Sequence, residues 1–508
     1  MEAISERFNL AAYCIGRAAA RAPDKTALLV FDNADASAAA ERWTFRELDV
    51  AVRRVAAGLL AEGIRPGDRL MLRLPNTGDT PVVFFGAISA GIVPIPISSQ
   101  LTDTEVSLLL ADSRASGIVQ VGAADGLPLP GDCRLLDGAA IVRLKASSPA
   151  PMHADTIAEA AAYMIYTSGT GARPKGVLHA HRVALGRAPM RREWEAIGAD
   201  DVMLHAGAFN WSYTLGVGLL DPWSVGATAV LFNGERDIEA WPRLIRNCGA
   251  TVFAAVPSLY RQMLKYCALA PSDFARVRHC LAAGEALSPA ILSQWREATG
   301  TALYEALGMS ECSTFISSGP GVPVKPGSPG KPQAGRRIAV LPAESGTEPV
   351  PSGTTGALAI HRSEPGLMLG YWMRPDEDAA TTRGDWFVGG DLASIDADGY
   401  VWFHGRADDT MNAGGYRVSP AEVEAALADC PGIADVAVAE VSVRPGVTIV
   451  AAFVVRKEGS GIIEADVLHC AEHRLAAYKR PKKVVFLEVL PRSPNGKLLR
   501  RQLAATGG

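Results

Sequence analysis

The stretch YTSGTGARPKGV, Tyr166 to Val177, gathers hydroxyls, glycines and one lysine into a short run. Glycines let a backbone fold tightly and turn its N–H groups inward round an anion. Thr167, Ser168, Gly169 and Thr170 supply donors and backbone freedom, and Lys175 adds a positive charge on a flexible stem. That combination suits phosphate. It is not a Walker A loop, because Lys175 is followed by Gly176 where Ser or Thr is required. Farther along, LGMSE (Leu307–Glu311) sets the Ser310 hydroxyl beside the Glu311 carboxylate. A carboxylate on a loop after a strand suits Mg2+, which takes one or two carboxylates together with phosphate oxygens. GGDLASIDADGY puts Asp391 behind two glycines, where it can accept hydrogen bonds from a ribose diol or simply make an Asp turn. Arg406 suits sugar or phosphate, or an ordinary surface position. GEAL (Gly284–Leu287) reads as a turn, and Lys497 in PRSPNGKLLRR reads, by itself, as a solvated lysine.

These groups need elements to hold them. AAAYMIY, upstream of the glycine-rich run, has the apolar continuity of a buried strand, and HRVALGRAPMRREWEAIG downstream can form a helix. The expected arrangement is therefore strand, glycine-rich turn and helix, with phosphate at the helix N-terminus. Residues 1–150 alternate helices with short strands. Phe45, Leu48, Val52, Val55, Leu59 and Leu60 recur at helical spacing, and Gly63 follows as a helix stop. Residues 200–315 continue the alternation: ATVFAAVPSLYRQML is strand, Pro257 and helix, VRHCLAAGEALSPAILSQWREATG is strand, glycine turn and helix, and TALYEALGMSECSTFIS is strand then loop. Strands separated by helices predict mainly parallel, doubly wound α/β sheets. From Gly319 to Pro365 glycine and proline are frequent and strands short, which predicts a β-rich subdomain. The final ~100 residues have the size of a small α+β domain. The expected division is a large N-terminal domain, 1–407, and a small mobile C-terminal domain, 408–508.

Composition sets limits. With 508 residues, the chain should hold several units at ~100–200 residues per domain. Hydrophobic residues at 48% and charged residues at 20% describe an ordinary globular protein. A net charge of −4 gives no basic field for nucleic acid or anionic membrane. Pro81 to Thr102 carries no charge, but its prolines and glycines break it into a buried helix (Val82–Ala90), a turn at Gly91 and a strand (Val93–Ile97) rather than a membrane span. Eight scattered cysteines without a C-x-x-C pair fit a reducing compartment and argue against zinc or a disulfide framework. Cys312 reads as a packing cysteine. MEAISERFNL has no secretory pattern. The expected location is cytoplasmic.

Taken in order, these pieces resemble the adenylate-forming superfamily of acyl-CoA synthetases, luciferases and adenylation domains. That family carries [YF]-[ST]-SG-[ST]-[TG]-G-x-PKG, a GE turn, YGxTE, TGD, GRxDD and a C-terminal P-x-x-x-x-GK, and the likeness covers roughly residues 25–505. EALSPAILSQW, DPWSVGAT, GLMLGYW and NAGGYRVSPAEVE are most similar to medium-chain acyl-CoA and benzoate-CoA synthetases. The resemblance implies ATP, Mg2+ and CoA, and a two-step reaction through acyl-AMP to a thioester. It implies that Thr167–Thr170 and Lys175 cradle the β- and γ-phosphates, Ser310 touches the α-phosphate and Glu311 holds Mg2+. Gly284, Glu285 and Ala286 would line adenine with Glu305 and Ala306 near it, and Asp391 and Arg406 would hold the ribose. Lys497 would reach the carboxylate and α-phosphate, Asp408 would be the hinge, and Gly414, Gly415 and Tyr416 would admit pantetheine in the second step. Leu307 stands where the family has an adenine-stacking Tyr, Ser310 for the usual Thr, and Gly389 for Thr. The acyl pocket would be drawn from Phe209, Trp211, Ala283, Gly308 and Met309, an apolar set that leaves aromatic, branched and medium-chain acids open. The absence of an acid early in the segment from Phe209 counts against an amino-acid substrate. A stand-alone adenylation enzyme loading a carrier-protein thiol is the alternative. The setting of Lys497 also resembles that of synthetases switched off by a lysine acetyltransferase.

Overall fold

The computed structural model describes the chain except residues 1–4, 123–125, 168–173, 236, 408–410, 414–415, 445–446, 476, 494–497 and 507–508; the side chains of 412–417, 444–447, 478, 501 and 506 also lie outside it. The expectations for Ser168, Gly169, Thr170, Asp408, Gly414, Gly415 and Lys497, and for the Tyr416 side chain, therefore fall outside the described residues. The chain forms two compact units, Met1–Arg337 with Arg362–Ala380, and Ile338–His361 with Thr381–Gly508.

The first unit is built on a nine-stranded sheet. Its centre is six parallel strands in the order Ala302–Met309, His279–Ala283, Val252–Ala255, Val202–His205, Thr228–Phe232 and Thr26–Phe31. Ser313–Ser317 and Lys331–Pro332 extend one edge antiparallel, and Glu41–Thr44 the other. The central strands are buried along their lengths, as expected where helices cover both faces of a parallel sheet. A second, four-stranded sheet is all parallel: Val93–Pro96, Arg69–Arg73, Gly117–Gln120 and Arg134–Leu136. The helix Phe45–Ala61 starts at a capping box in which Thr44 and Glu47 satisfy each other's backbone donors, and it buries Phe45, Leu48, Val52, Val55 and Leu59. Leu60, expected on that face, is exposed. Pro81 to Thr102 is a buried helix, Asp79–Ser89, followed by the buried strand Val93–Pro96. Among the described residues, no helix is long and apolar enough to cross a membrane.

Two local expectations fail here. The glycine-rich run does not lead into a helix. Ala161–Thr167 and Lys175–Ala180 are antiparallel partners, with Thr167 opposite Lys175, so the run joins two strands and there is no helix N-terminus behind it. Pairing with both Ala161–Thr167 and Gly370–Tyr371 fixes Lys175–Ala180 as a strand. The downstream segment is two short helices, Val183–Gly186 and Ala188–Glu193, rather than one, with Pro189 starting the second.

The second unit holds an antiparallel sheet ordered Ile338–Leu341, Gly356–His361, Trp386–Ile395 and Thr382–Arg383, with Val401–Arg406 also on Trp386–Ile395. This is the β-rich subdomain read from the glycines and prolines. The long hairpin Ile433–Arg444 and Val447–Arg456 pairs with Lys483–Leu487 and is packed by the helices Pro420–Ala428 and Glu464–Arg474. A Cys430–Cys470 disulfide ties the residue just past the end of the first helix to the second, with Cα atoms 6.3 Å apart. This corrects the expectation of free thiols: a sequence separation of 40 gives no sign of a pairing that only the packing of two helices creates.

Candidate active site

In the first unit the candidate phosphate ligand and the candidate metal ligand meet through a third residue. Lys175 opens the strand Lys175–Ala180 and its ammonium pairs with Glu377 and lies 5.3 Å from the centre of the Tyr371 ring. The Tyr371 hydroxyl donates to Glu311 Oε1 at 2.7 Å. Glu311 follows the strand Ala302–Met309, and its carbonyl accepts from Met368 N at 2.7 Å. Glu311 Oε2 makes no hydrogen bond among the described residues, so the carboxylate is oriented at one oxygen and open at the other. That donor set fits a Mg2+ held by one carboxylate plus phosphate oxygens. Leu307, Gly308 and Met309, expected on a loop, are the end of that strand.

Ser310 sits at the turn that follows. Its carbonyl accepts from Nε2 of His179 at 2.9 Å. Burial pushes this imidazole down to about 4, so it is neutral and Nε2 carries the proton. The Ser310 hydroxyl is 3.3 Å from that of Ser212. Beneath the turn, the Arg187 guanidinium donates to Ser313 Oγ and is itself paired with the fully buried Asp221.

Gly284 leaves the strand His279–Ala283 at φ +97°, and a Cβ there would lie 2.8 Å from Cη2 of Trp211. Both the backbone and the indole demand glycine. Trp211 thus covers the start of the Gly284–Ala286 turn, edge-on to Tyr213 with centroids 5.3 Å apart. Phe209 and Ala283 are buried, while Gly308 and Met309 are half-buried. Glu305 accepts from Leu287 N at 2.9 Å, which ties the turn to the neighbouring strand beside the buried Ala306. Burial lifts the Glu305 carboxyl to about 7, against the lowering effect of that hydrogen bond. Cys312 is fully buried and its thiol is pushed up to about 11, which suits packing and not nucleophilic chemistry.

In the second unit Asp391 and Arg406 are cross-strand partners, and Arg406 Nη1 donates to Asp391 Oδ1 at 3.2 Å. Gly390 has φ +89°, and a Cβ would stand 2.9 Å from Arg406 Nη2, so the glycine lets the guanidinium lie over the strand. A buried carboxylate beside a cation, with its oxygens held in one plane, can accept from a diol.

Tyr371, Glu377, His179 and the Arg187–Asp221 pair were not found by sequence reasoning. GLMLGYW marked a likeness but gave no reason for the Tyr371 hydroxyl to reach a carboxylate 60 residues away. Pairing between strands distant in sequence created that contact.

Comparison with known proteins places the chain among enzymes that bind AMP. Residues 15–372 match the family model described as AMP-binding enzyme, and residues 422–497 match that of the AMP-binding enzyme C-terminal domain. The chain is 31% identical to the benzoate–CoA ligase of Thauera aromatica over 98% of its own length and 96% of that protein's. It is 30% identical to the mitochondrial acyl-coenzyme A synthetase ACSM3 of Mus musculus, over 91% of this chain and 84% of the relative. The crystal structure of a benzoate CoA ligase from Burkholderia xenovorans LB400 superposes with a TM-score of 0.88 at 30% identity, covering 98% of this chain and 100% of that one.

Proposed function

The chain belongs to the AMP-binding enzyme family, and from that premise we propose that it joins a small carboxylic acid to CoA. It is an ATP-dependent, AMP-forming acid–thiol ligase of the acyl- and aryl-CoA class, using Mg2+. The carboxylate attacks the α-phosphorus of ATP, giving acyl-AMP and pyrophosphate, and the CoA thiol then displaces AMP. The first step brings an anion to a polyanion, so cationic and hydrogen-bonding groups must be set out in advance.

The observation that carries this reading is the Lys175–Tyr371–Glu311 group. Lys175, with Thr167, Ser168, Gly169 and Thr170, holds the β- and γ-phosphates. Glu311 holds the Mg2+ that offsets phosphate charge, and Tyr371 aims its carboxylate. Ser310 meets the α-phosphate, its turn supported by His179. Gly284, Glu285, Ala286, Glu305, Ala306 and Leu307 border adenine, and the Asp391–Arg406 pair takes the ribose. Lys497 brings charge to the reacting carboxylate. Asp408 is the hinge between residues 1–407 and 408–508, whose turning replaces Lys497 by Gly414, Gly415 and Tyr416 for the thiol step.

Phe209, Trp211, Ala283, Gly308 and Met309 line the acid pocket. Their apolar character supports an aromatic, branched or medium-chain acid. A lysine acetyltransferase acting on Lys497 would switch off the first step by removing its charge. A cytoplasmic location belongs to the same reading; the six free cysteines among the described residues support it, and the Cys430–Cys470 disulfide counts against it.

The test is pyrophosphate release across a panel of aromatic, branched and medium-chain acids, with and without CoA. Release that depends on the acid, with acyl-CoA formed only when CoA is present, is the expected result. No acid-dependent release sinks the ligase reading, and release without acyl-CoA transfers it to a carrier-protein loader. Lys497→Ala should abolish adenylate formation and spare thioester formation from supplied acyl-AMP; equal loss of both steps would refute the role given to Lys497.

A further inference from the structure

The segment LGYWMRPDEDAA, Leu369–Ala380, is fastened at several points to the first unit. Gly370 and Tyr371 pair with Leu178 and Val177, and Trp372 N donates to Gly176 O at 2.7 Å. The Trp372 indole donates to Asp112 O at 3.2 Å, and Arg374 forms an ion pair with the Asp112 carboxylate. Asp378 accepts from Tyr371 N at 2.8 Å, which draws the short helix Pro375–Ala380 back onto the strand. A segment fixed in this way has little freedom in where it sends its side chains. It sends two to the polyphosphate machinery: Tyr371 to Glu311 and Glu377 to Lys175. Lys175 and Glu377 are partly sheltered, their side chains 21% and 32% exposed.

We propose that Glu377 is a built-in competitor of the polyphosphate, a carboxylate that occupies Lys175 before ATP arrives and returns to it as pyrophosphate leaves. The proposal rests on reading Lys175 as the β- and γ-phosphate holder. An ammonium has three N–H donors and can meet two anions at once, so the pair need not break fully. Glu377 still sets its negative charge against the incoming phosphates and lowers the net positive charge they meet. The penalty falls on ligands that reach Lys175, ATP and pyrophosphate, and not on AMP. Because adenylate formation is reversible, weak retention of pyrophosphate opposes the back-reaction and clears the site for the thiol step. Glu377 would thus trade ATP affinity for forward flux.

The experiment compares the wild-type chain with Glu377→Gln and Glu377→Ala, and uses Asp376→Asn, an exposed acid one residue away, as the control for general charge. Calorimetric titration with Mg-ATP, Mg-pyrophosphate and AMP gives affinities without turnover, and pyrophosphate product inhibition gives the kinetic counterpart. Neutralising Glu377 should tighten ATP and pyrophosphate by about fivefold and lower the inhibition constant of pyrophosphate alike, the scale of a partly exposed ion pair. AMP binding and the Asp376→Asn protein should stay within about twofold of wild type, well inside that scale. Unchanged or weaker ATP and pyrophosphate binding in both Glu377 variants would overturn the proposal. So would an equal gain for AMP, or the same gain in Asp376→Asn. A wild-type chain that binds neither ATP nor pyrophosphate would sink the ligase reading and this inference together, whereas wild-type binding unaltered by Glu377→Gln sinks the inference alone.

Discussion

Replacing Asp221 by Asn tests the electrostatics beneath the Ser310–Glu311 turn. Asp221 is fully buried and Arg187 nearly so. Arg187 Nε lies 2.9 and 3.1 Å from the two Asp221 oxygens, and Nη2 makes a further bond. Arg191 stands 3.7 Å from Asp221 Oδ1. Glu195, also fully buried, has its carboxyl pushed well above the ordinary range, first by burial and next by the charge on Asp221. Arg187 is thus bound through its guanidinium to Asp221, while burial and the Asp221 charge both disfavour the ionised form of Glu195. Removing one member of a buried ion pair costs about 3–5 kcal/mol, because the other charge is left uncompensated. Here a replacement anion is at hand. Once Asp221 is neutral, its charge no longer opposes ionisation of Glu195, while Arg187 and Arg191 still favour it. Asp221→Asn should therefore cost only about 2–3 kcal/mol, below the full penalty of a broken pair. Glu195→Gln alone, neutral for neutral at nearly constant shape, should stay within about 1 kcal/mol of wild type. The double variant should lose at least 1 kcal/mol more than the sum of the singles, a coupling of the size neighbouring residues show. The assay is urea unfolding at pH 7.5 followed by the fluorescence of the buried Trp194 and Trp223. Additivity to within about 0.5 kcal/mol would refute the charge exchange. So would a large loss from Glu195→Gln alone, because it would mean that Glu195 and not Asp221 carries the charge.

Three further outcomes follow from single contacts. Tyr371→Phe removes the hydrogen bond that orients Glu311 and should weaken Mn2+ binding in the ATP complex, measured by electron paramagnetic resonance, by about 10–100-fold; unchanged Mn2+ affinity would separate Tyr371 from the metal. Glu305, with a folded pKa of about 7 against an ordinary 4.5, binds its proton more tightly when folded, so its contribution is complete below pH 4.5 and is lost as pH rises through 7. Glu305→Gln should accordingly flatten the fall in urea midpoint between pH 5 and pH 8, and an unaltered slope would mean that Glu305 is already ionised. Reduction of Cys430–Cys470, which closes a loop of 40 residues, should lower the stability of the second unit by about 2–4 kcal/mol, read from guanidinium unfolding with and without a dithiol; coincident curves would remove the bond from the stability of the fold.

Residue type and order were enough for the architecture and for the list of chemical groups. The parallel strands at Val252–Ala255, His279–Ala283 and Ala302–Met309 and their helices were legible because a buried parallel sheet needs continuous apolar runs, with turn and cap residues between them. Gly284 was legible as a turn, and the structure adds why it is glycine: a positive φ with Trp211 against it. The partners of those groups were not legible. Lys175 was expected in a glycine-rich turn ahead of a helix and is the first residue of a strand, since pairing with Ala161–Thr167 and Gly370–Tyr371 overrides local preference. Tyr371 meets Glu311, Glu377 meets Lys175, His179 meets Ser310, and Cys430 meets Cys470, each across a long stretch of chain. Sequence pattern reports which residues an element must bury or expose, because that is fixed by local period and composition. It does not report which side chain another strand or helix brings opposite, because that depends on sheet order and packing. The sequence by itself therefore determined which candidate groups this protein carries for binding a polyphosphate, and the tertiary structure alone decided what Lys175, Glu311 and Ser310 are tied to.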